Sequence, residues 1–313
     1  MQYRPITLAI FFAWIVSIVS IVSIFPTVRA RKDEESVGVG IHVLQKAMRF
    51  VKDTNYGDGD GNTPDVLERL ESGHVHTLYK VAQAMNEREN REDRLTSIEI
   101  WHALADHNDD NSNSNSNNGH ILSQVALGFA YSEHDKASAV TYFVQAGEAG
   151  PHQAALFNAG RLLADPELED FVKALACLRA AYNLAETHPE YSTDHLTETS
   201  KLAYETLSAQ LTGLVNESLG SKGGIALSIQ EVADMFLYAN LNDYPLAKSR
   251  EEKIWARGMQ SLQARNWEIA FVEFEKLQRT SREELSNLQL SLLNVLKQYC
   301  KSVSGIDLGS DEL

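Results

Sequence analysis

The sequence predicts an all-α fold in which antiparallel helix hairpins stack into a solenoid, and three observations lead there. One hairpin pattern is written twice between Ile121 and Glu190, with Gly128 and Gly160 separated by 32 residues and Ala139 and Ala174 by 35; periods of this size belong to stacked helical hairpins. Large apolar residues, among them Leu127, Tyr131, Tyr142, Phe143, Leu156, Leu163, Leu175 and Leu178, recur at helical spacing and can bury a continuous stripe between hairpins. Small residues inside these helices cost helix propensity and persist where a neighbouring backbone comes close. Gly128, Ala139, Gly160 and Ala174 are the candidates for that seam, and Gly150, followed by Pro151, ends one copy and lets the next begin. A single hairpin cannot cover its own stripe, so the pattern requires an array.

The chain divides into five segments. Residues 1–30 carry a nearly unbroken apolar run, Ile6 to Phe25, after Arg4, and end in Val28-Arg29-Ala30. This reads as a signal peptide cut after Ala30. The run is also long enough to span a bilayer, so an uncleaved signal anchor is the alternative.

Residues 31–120 read as irregular helical repeats. Ile41, Leu44, Ala47, Met48 and Val51 keep a 3.6-residue spacing. Thr63-Pro64-Asp65 is a helix start ahead of Val66, Leu67 and Leu70. A helix through Leu78, Tyr79 and Ala82 is expected to pair with one opened by a capping box, Thr96-Ser-Ile-Glu99, and carrying Ile100, Trp101 and Leu104. The tract Asn108 to Asn118 holds only Asn, Asp and Ser, offers nothing to a core and reads as an expanded loop.

Residues 121–190 hold the two clear repeats. Residues 191–300 stay helical, with Thr193 or Asp194 capping a helix through Leu202, Tyr204, Leu207 and Leu211, and Gly220 to Gly224 as a break. Capping boxes at Ser228 to Glu231, Ser249 to Glu252 and Ser281 to Glu284 are expected to open the remaining helices. The pair Trp255-Ala-Arg-Gly258 and Trp267-Glu-Ile-Ala270, with Phe271 and Phe274, places Gly258 and Ala270 as small residues at another helix contact. In the last helix Leu285, Leu288, Leu292, Leu296 and Tyr299 form one face, with Leu290 and Leu293 off it. Residues 301–313 are a tail whose end, Ser310-Asp311-Glu312-Leu313, resembles the retrieval signal of endoplasmic reticulum residents.

The two central copies resemble the Sel-1-like repeat, a relative of the tetratricopeptide repeat, through Leu127-Gly128-x-x-Tyr131 and through Ala139-x-x-Tyr142-Phe143-x-x-Ala146-x-x-x-Gly150. In the second copy Cys177 stands in the aromatic position and Asn183-Leu184 displaces the closing glycine. The Gly258–Ala270 pair is similar to a tetratricopeptide hairpin. The resemblance implies a right-handed superhelix that binds proteins, and with a lumenal address it points to the lumenal adaptors of membrane ubiquitin ligases.

Composition narrows the function further. The chain carries a net charge of −15, and residues 1–30 contribute only Arg4 and Arg29 to it. Such a surface repels phosphate backbones and excludes nucleic acid as a partner. The segment Asp53 to Asp65 departs from a calcium loop, because a template started at Asp58 puts Thr63 at the glycine position and Arg69 at the bidentate glutamate; a turn is favoured. The ten histidines show no metal-ligand spacing. Cys177 and Cys300 match no zinc or redox motif; packing as small hydrophobes is expected, and an oxidising compartment would also permit their pairing. No nucleophile elbow or acid–base set stands at catalytic spacing. No metal or other cofactor is expected.

The resulting expectation is a non-catalytic adaptor in the endoplasmic reticulum lumen, acting in protein quality control or degradation. Its partners are quality-control proteins or chaperones, and the membrane is reached only through a partner unless the signal stays uncleaved. The alternatives are a tetratricopeptide-like co-chaperone module and a non-catalytic subunit of a lumenal enzyme. Asn216-Glu-Ser218 is then a glycosylation sequon.

Overall fold

A computed structural model of the chain describes residues 39–57, 63–88, 90–106, 120–220, 228–239, 250–283 and 285–304, all within one contact unit spanning 35–313. Among the described residues there are thirteen α-helices and no strand: α1 (Ile41–Thr54), α2 (Thr63–Glu71), α3 (Val75–Asn86), α4 (Arg91–Ala105), α5 (Ile121–Tyr131), α6 (Lys136–Ala149), α7 (Gln153–Leu163), α8 (Phe171–Thr187), α9 (Asp194–Gly220), α10 (Ile229–Tyr238), α11 (Arg250–Gln263), α12 (Trp267–Thr280) and α13 (Asn287–Ser304). From α3 to α9 each helix packs on the next, so the chain runs as sequential hairpins. Short turns enforce this arrangement, since the α5–α6 and α6–α7 connections leave no room for a helix to be inserted between neighbours.

The hairpins α3–α4, α5–α6 and α7–α8 share one register. Each first helix begins after a histidine, His74, His120 or His152, and eight residues further on carries a small residue, Ala82, Gly128 or Gly160. The second helices are capped by Asn90, Asp135 and Asp170, whose side-chain oxygens accept the amides of Glu92, Ser138 and Lys173 at 2.9, 3.0 and 3.2 Å. Across the hairpin, Ser97, Ala139 and Ala174 are fully buried, and one turn later come Trp101, Phe143 and Leu178. The glycines are there because the opposite side chain fills their space. A Cβ on Gly128 would stand 2.6 Å from the Phe143 ring, and one on Gly160 would stand 2.7 Å from Leu178 Cγ and 3.1 Å from the Ala174 carbonyl. The α11–α12 hairpin repeats the device, with Gly258 2.6 Å from Phe274 and Ala270 fully buried four residues before that ring.

Contacts made after α8 depart from simple nearest-neighbour stacking. α9 packs on α7 as well as α8, α10 packs on α8, and α13 returns to pack on α9, α10 and α12. Two buried glutamines fasten this part. Gln153 donates to the Ala181 carbonyl (3.0 Å) and to Thr197 Oγ1 (2.9 Å) while accepting the Thr193 amide (3.0 Å), so α7, α8 and the start of α9 are held by one side chain. Gln289 donates to the Phe236 carbonyl of α10 at 3.2 Å and accepts the Ser286 amide at 3.0 Å.

The end of α10 is the most heavily fastened point of the described chain. Four successive carbonyls, Phe236, Leu237, Tyr238 and Ala239, accept from Gln289 Nε2, Arg179 Nη1, Tyr204 Oη and Ser286 Oγ respectively. A helix normally leaves its last carbonyls to water or to a glycine cap. Here side chains from α8, α9 and the start of α13 supply the donors, and ten residues of helix are thereby tied to three neighbours.

Several helix boundaries expected from sequence shift. Thr96 does not cap a helix: α4 is capped six residues earlier by Asn90, and the buried Thr96 hydroxyl donates to the Glu92 carbonyl inside it. Ser281 does not open the last helix either, because Ser286 and Gln289 form a reciprocal capping pair there. The cap of α9 is Thr193, which accepts the Leu196 amide at 3.3 Å, and the Ser228–Glu231 capping box forms as the spacing predicts. Ser249 lies outside the described residues. Leu202, expected on the buried face of α9, is 54% exposed, whereas Leu293 is fully buried because α13 is covered on two sides.

Candidate protein-binding surface

The small residues named for the packing seam offer little side-chain surface to a partner. Ala139 and Ala174 have no exposed surface, and Gly128 and Gly160 face side chains that leave no space. Gly150 lies at the end of α6, where a Cβ would meet Ile121 Cδ1 at 2.8 Å. Gly147, which the periodicity does not single out, is as confined, 2.5 Å from Leu156 Cδ2. What the stack presents outward instead is its rim.

On that rim three hairpin helices place a polar aromatic cluster. His102 of α4 lies between Tyr131 of α5 and Tyr142 of α6, with Nε2 2.9 Å from the Tyr131 hydroxyl and Nδ1 3.2 Å from that of Tyr142. The two phenol rings stack, centroids 5.7 Å apart and 18° from parallel, and all three side chains are half-buried. A neutral imidazole satisfies both hydroxyls, donating to one and accepting from the other. Burial and the charge of Asp106 push the Tyr142 phenol up. Elsewhere on α5, Phe129 remains 39% exposed and meets Phe143 edge-on at 5.1 Å. Rings that are rigidly held yet partly open combine apolar area with hydrogen-bonding edges, the composition that anchors protein partners.

The turn end of the α5–α6 hairpin carries charge. Lys136, at the start of α6, reaches Asp165 (2.9 Å) and Glu167 (3.0 Å) in the turn between α7 and α8, and its hydrogen bond to Asp165 does most to raise its pKa. This half-buried pair ties the α5–α6 turn to the α7–α8 turn. Arg161 lies close by, its guanidinium largely desolvated and its pKa lowered by burial.

The remaining sequence candidates fall in different places. Asn216 is exposed near the end of α9, so the acceptor nitrogen faces solvent from a helix and not from a loop. Ser310, Asp311, Glu312 and Leu313, expected as a retrieval signal, residues 1–30, expected as a signal peptide, and the Asn108–Asn118 tract lie outside the described residues. Of the acidic segment, Asp58, Asp60 and Asn62 are also outside them, while Thr63 Oγ1 donates to Asn55 Oδ1 at 3.0 Å. Cys177 and Cys300 are unpaired thiols, each pushed up to about 11 by burial. Among the described residues no group of histidine, cysteine, aspartate and glutamate could hold a metal, and no helix is long and apolar enough to cross a membrane.

The histidines at the hairpin entrances were missed by a search for metal spacing, although one signal was present. Laying Gly128 on Gly160 also lays His120 on His152. His74 Nδ1 accepts the Thr77 amide at 3.3 Å and lies 3.0 Å from its hydroxyl, and His152 Nδ1 accepts the Ala155 amide at 3.2 Å. His120 Nδ1 contacts the Ser123 hydroxyl at 2.8 Å. His74 and His152 thus cap their helices in the role usually taken by Ser, Thr, Asp or Asn, whereas the His120 ring meets only the Ser123 side chain.

Comparison with protein-family models, with curated proteins and with solved structures finds no match for this chain.

Proposed function

We propose that the protein is a non-catalytic adaptor that uses its hairpin stack to recruit another protein, and that it does so in the lumen of the endoplasmic reticulum as part of protein quality control. The observation that carries the binding role is the His102–Tyr131–Tyr142 cluster, a half-buried aromatic surface assembled from three successive helices. A stacked array spreads such anchors over several hairpins, and a few of them suffice for affinity. The acidic exterior would set association rate and partner choice more than strength. The lumenal address rests on the apolar N-terminal run and the Ser310–Leu313 ending, and the link to degradation rests on the Sel-1-like pattern around Gly128 and Gly160. A right-handed superhelix is the form that pattern implies.

Proximity labelling from the full chain, compared with His102→Ala/Tyr142→Ala, tests this reading once circular dichroism has shown that the variant stays folded. Enrichment of membrane ubiquitin-ligase subunits that disappears in the variant is the expected result, together with an endoglycosidase-sensitive glycan at Asn216. Chaperones alone would point to a co-chaperone. A partner set unchanged by the double substitution would remove the cluster from the binding surface.

A further inference from the structure

α12 shows solvent a face that its packing does not use. Ala270, Phe271, Phe274 and Leu277 are buried against neighbouring helices, while Ile269 and Val272 stand 54% and 58% exposed, one turn apart. Branched side chains weaken a helix at exposed positions, where no packing compensates. Lys276 and Arg279 continue the same side of α12 toward its end. From α13, Lys297 and Lys301 reach over the ring of Phe271, the residue before Val272, with their Nζ atoms 5.8 and 5.1 Å from its centroid. Lys297 also donates to Gln278 Oε1 at 2.6 Å, which holds its ammonium group at the α12–α13 groove.

The charge of this face runs against that of the chain. The protein has 43 acidic side chains and a net charge of −15, yet among the described residues Lys297 and Lys301 form no ion pair. The nearby carboxylates are engaged within α12, Glu273 at 3.9 Å from Lys276 and Glu275 at 2.9 Å from Arg279, and Glu268 in the first turn is the one exposed acid of that helix. Burial does most to lower the Lys297 pKa, Glu275 opposes it, and Lys301 and Arg279 add to the lowering by like charge. Cations that repel one another and have lost part of their water are stabilised by an incoming carboxylate. We propose that this face of the α12–α13 hairpin docks an acidic segment of a partner protein: two apolar side chains one helical turn apart seat on Ile269 and Val272, and flanking carboxylates pair with Lys297 and Lys301. A second copy presenting the same face would set cations against cations, as any two-fold contact places like residues together. The site stands apart from the aromatic cluster on α4, α5 and α6 and does not depend on it.

Fluorescence anisotropy of the full chain with a labelled synthetic helical peptide tests this. The peptide carries two leucines one turn apart bordered by glutamates, and a counterpart has lysines in place of the glutamates. The acidic peptide is expected to bind at least about tenfold more tightly than the counterpart, and to weaken as salt rises from about 50 to about 300 mM. Lys297→Gln/Lys301→Gln and Ile269→Ser/Val272→Ser, each checked for folding by circular dichroism, should lower its affinity about tenfold. Equal affinity for the two peptides, or no binding of the acidic one up to about 1 mM, overturns the proposal on the unaltered chain alone, whether or not the variants fold. Binding that neither folded variant weakens overturns it as well. Sedimentation of the same proteins with and without phosphatidylserine vesicles reads the other occupants. Vesicle binding or self-association that the unaltered chain shows and both variants lose would assign the face to lipid or to a second copy, and would likewise overturn the proposal.

Discussion

At the scale of single residues the fold depends on atoms that are missing. Gly160 has no room for a Cβ because Leu178 and the Ala174 carbonyl occupy that space, and the carbonyl cannot rotate aside as a side chain tip could. Gly160→Leu should therefore lower stability by roughly 1–3 kcal/mol, seen as a lower denaturation midpoint by circular dichroism. Gly213→Ala is the matched control. Nothing lies within 4 Å of a Cβ at Gly213 in α9, so alanine should leave stability unchanged or raise it by about 0.5–1 kcal/mol through helix propensity. An equal loss at both positions would mean that the seam is not where the strain falls. The capping histidines add a pH term of their own. Burial lowers the pKa of His152, whose Nδ1 must stay unprotonated to accept the Ala155 amide. Its contribution is present above the ordinary histidine pKa of about 6.5 and is lost as pH falls toward the lower folded value. His152→Asn should flatten the acid side of the stability profile, measured by urea unfolding between pH 7 and pH 5; a parallel profile would assign the pH dependence to other groups.

At the scale of elements, α10 illustrates how a short helix is held without a strong cap of its own at the C-terminal end. Its last carbonyls are met by Arg179, Tyr204, Ser286 and Gln289, each arriving from elsewhere in the chain. The Tyr204 phenol, pushed up to about 12 by burial, donates at 2.6 Å to the Tyr238 carbonyl. Tyr204→Phe keeps the ring and removes the donor, leaving that carbonyl unpaired at a cost of about 1–3 kcal/mol. The loss should appear in two places, as a lower unfolding midpoint and as faster exchange confined to α10 and the facing part of α9. Faster exchange spread evenly over all helices would show that the tether does not act on α10 in particular. The aromatic packing is separate from this tether, since Phe236 stacks on Trp255 of α11 at 4.1 Å and would survive the substitution.

At the scale of the molecule, the α3–α8 hairpins also serve as the base on which the C-terminal helices pack. α9 lies on α7 and α8, α10 lies on α8, and α13 closes over α9 and α10. Removing residues 121–190 would take away α7 and α8, on which α9 and α10 pack, together with Gln153 and Arg179. The truncated chain should be protease-sensitive and prone to associate, because the apolar faces of α9 and α10 would lose their cover. Limited proteolysis beside size-exclusion chromatography checks this. A monodisperse, resistant fragment would mean that the C-terminal helices fold independently of the hairpins. For the same reason point substitutions on the rim, and not deletion of the hairpins, are the proper test of partner binding.

The division between what was legible in the residues and what was not comes from range. Periodicity within helices is local, so the sequence by itself determined the all-α class and the hairpin order between Ile121 and Glu190, and it marked Gly128, Gly160 and Gly258 as small residues inside helices. It also contained the aligned histidines His120 and His152, which the search for metal spacing passed over. Residues of the rim cluster could be named in advance as helix positions, but Tyr131 and Tyr142 read as core, because apolar spacing cannot tell a buried ring from one at the edge of a stack. Only the tertiary structure decided that His102 would join them, that α13 would fold back onto α9 and α10, and that Arg179, Tyr204, Ser286 and Gln289 would converge on one helix end. Those partners are separated by 58, 34, 47 and 53 residues, and the acceptors are backbone carbonyls that every residue carries. Such pairings leave no pattern of residue types along the chain, because what selects them is the geometry reached once the hairpins have packed.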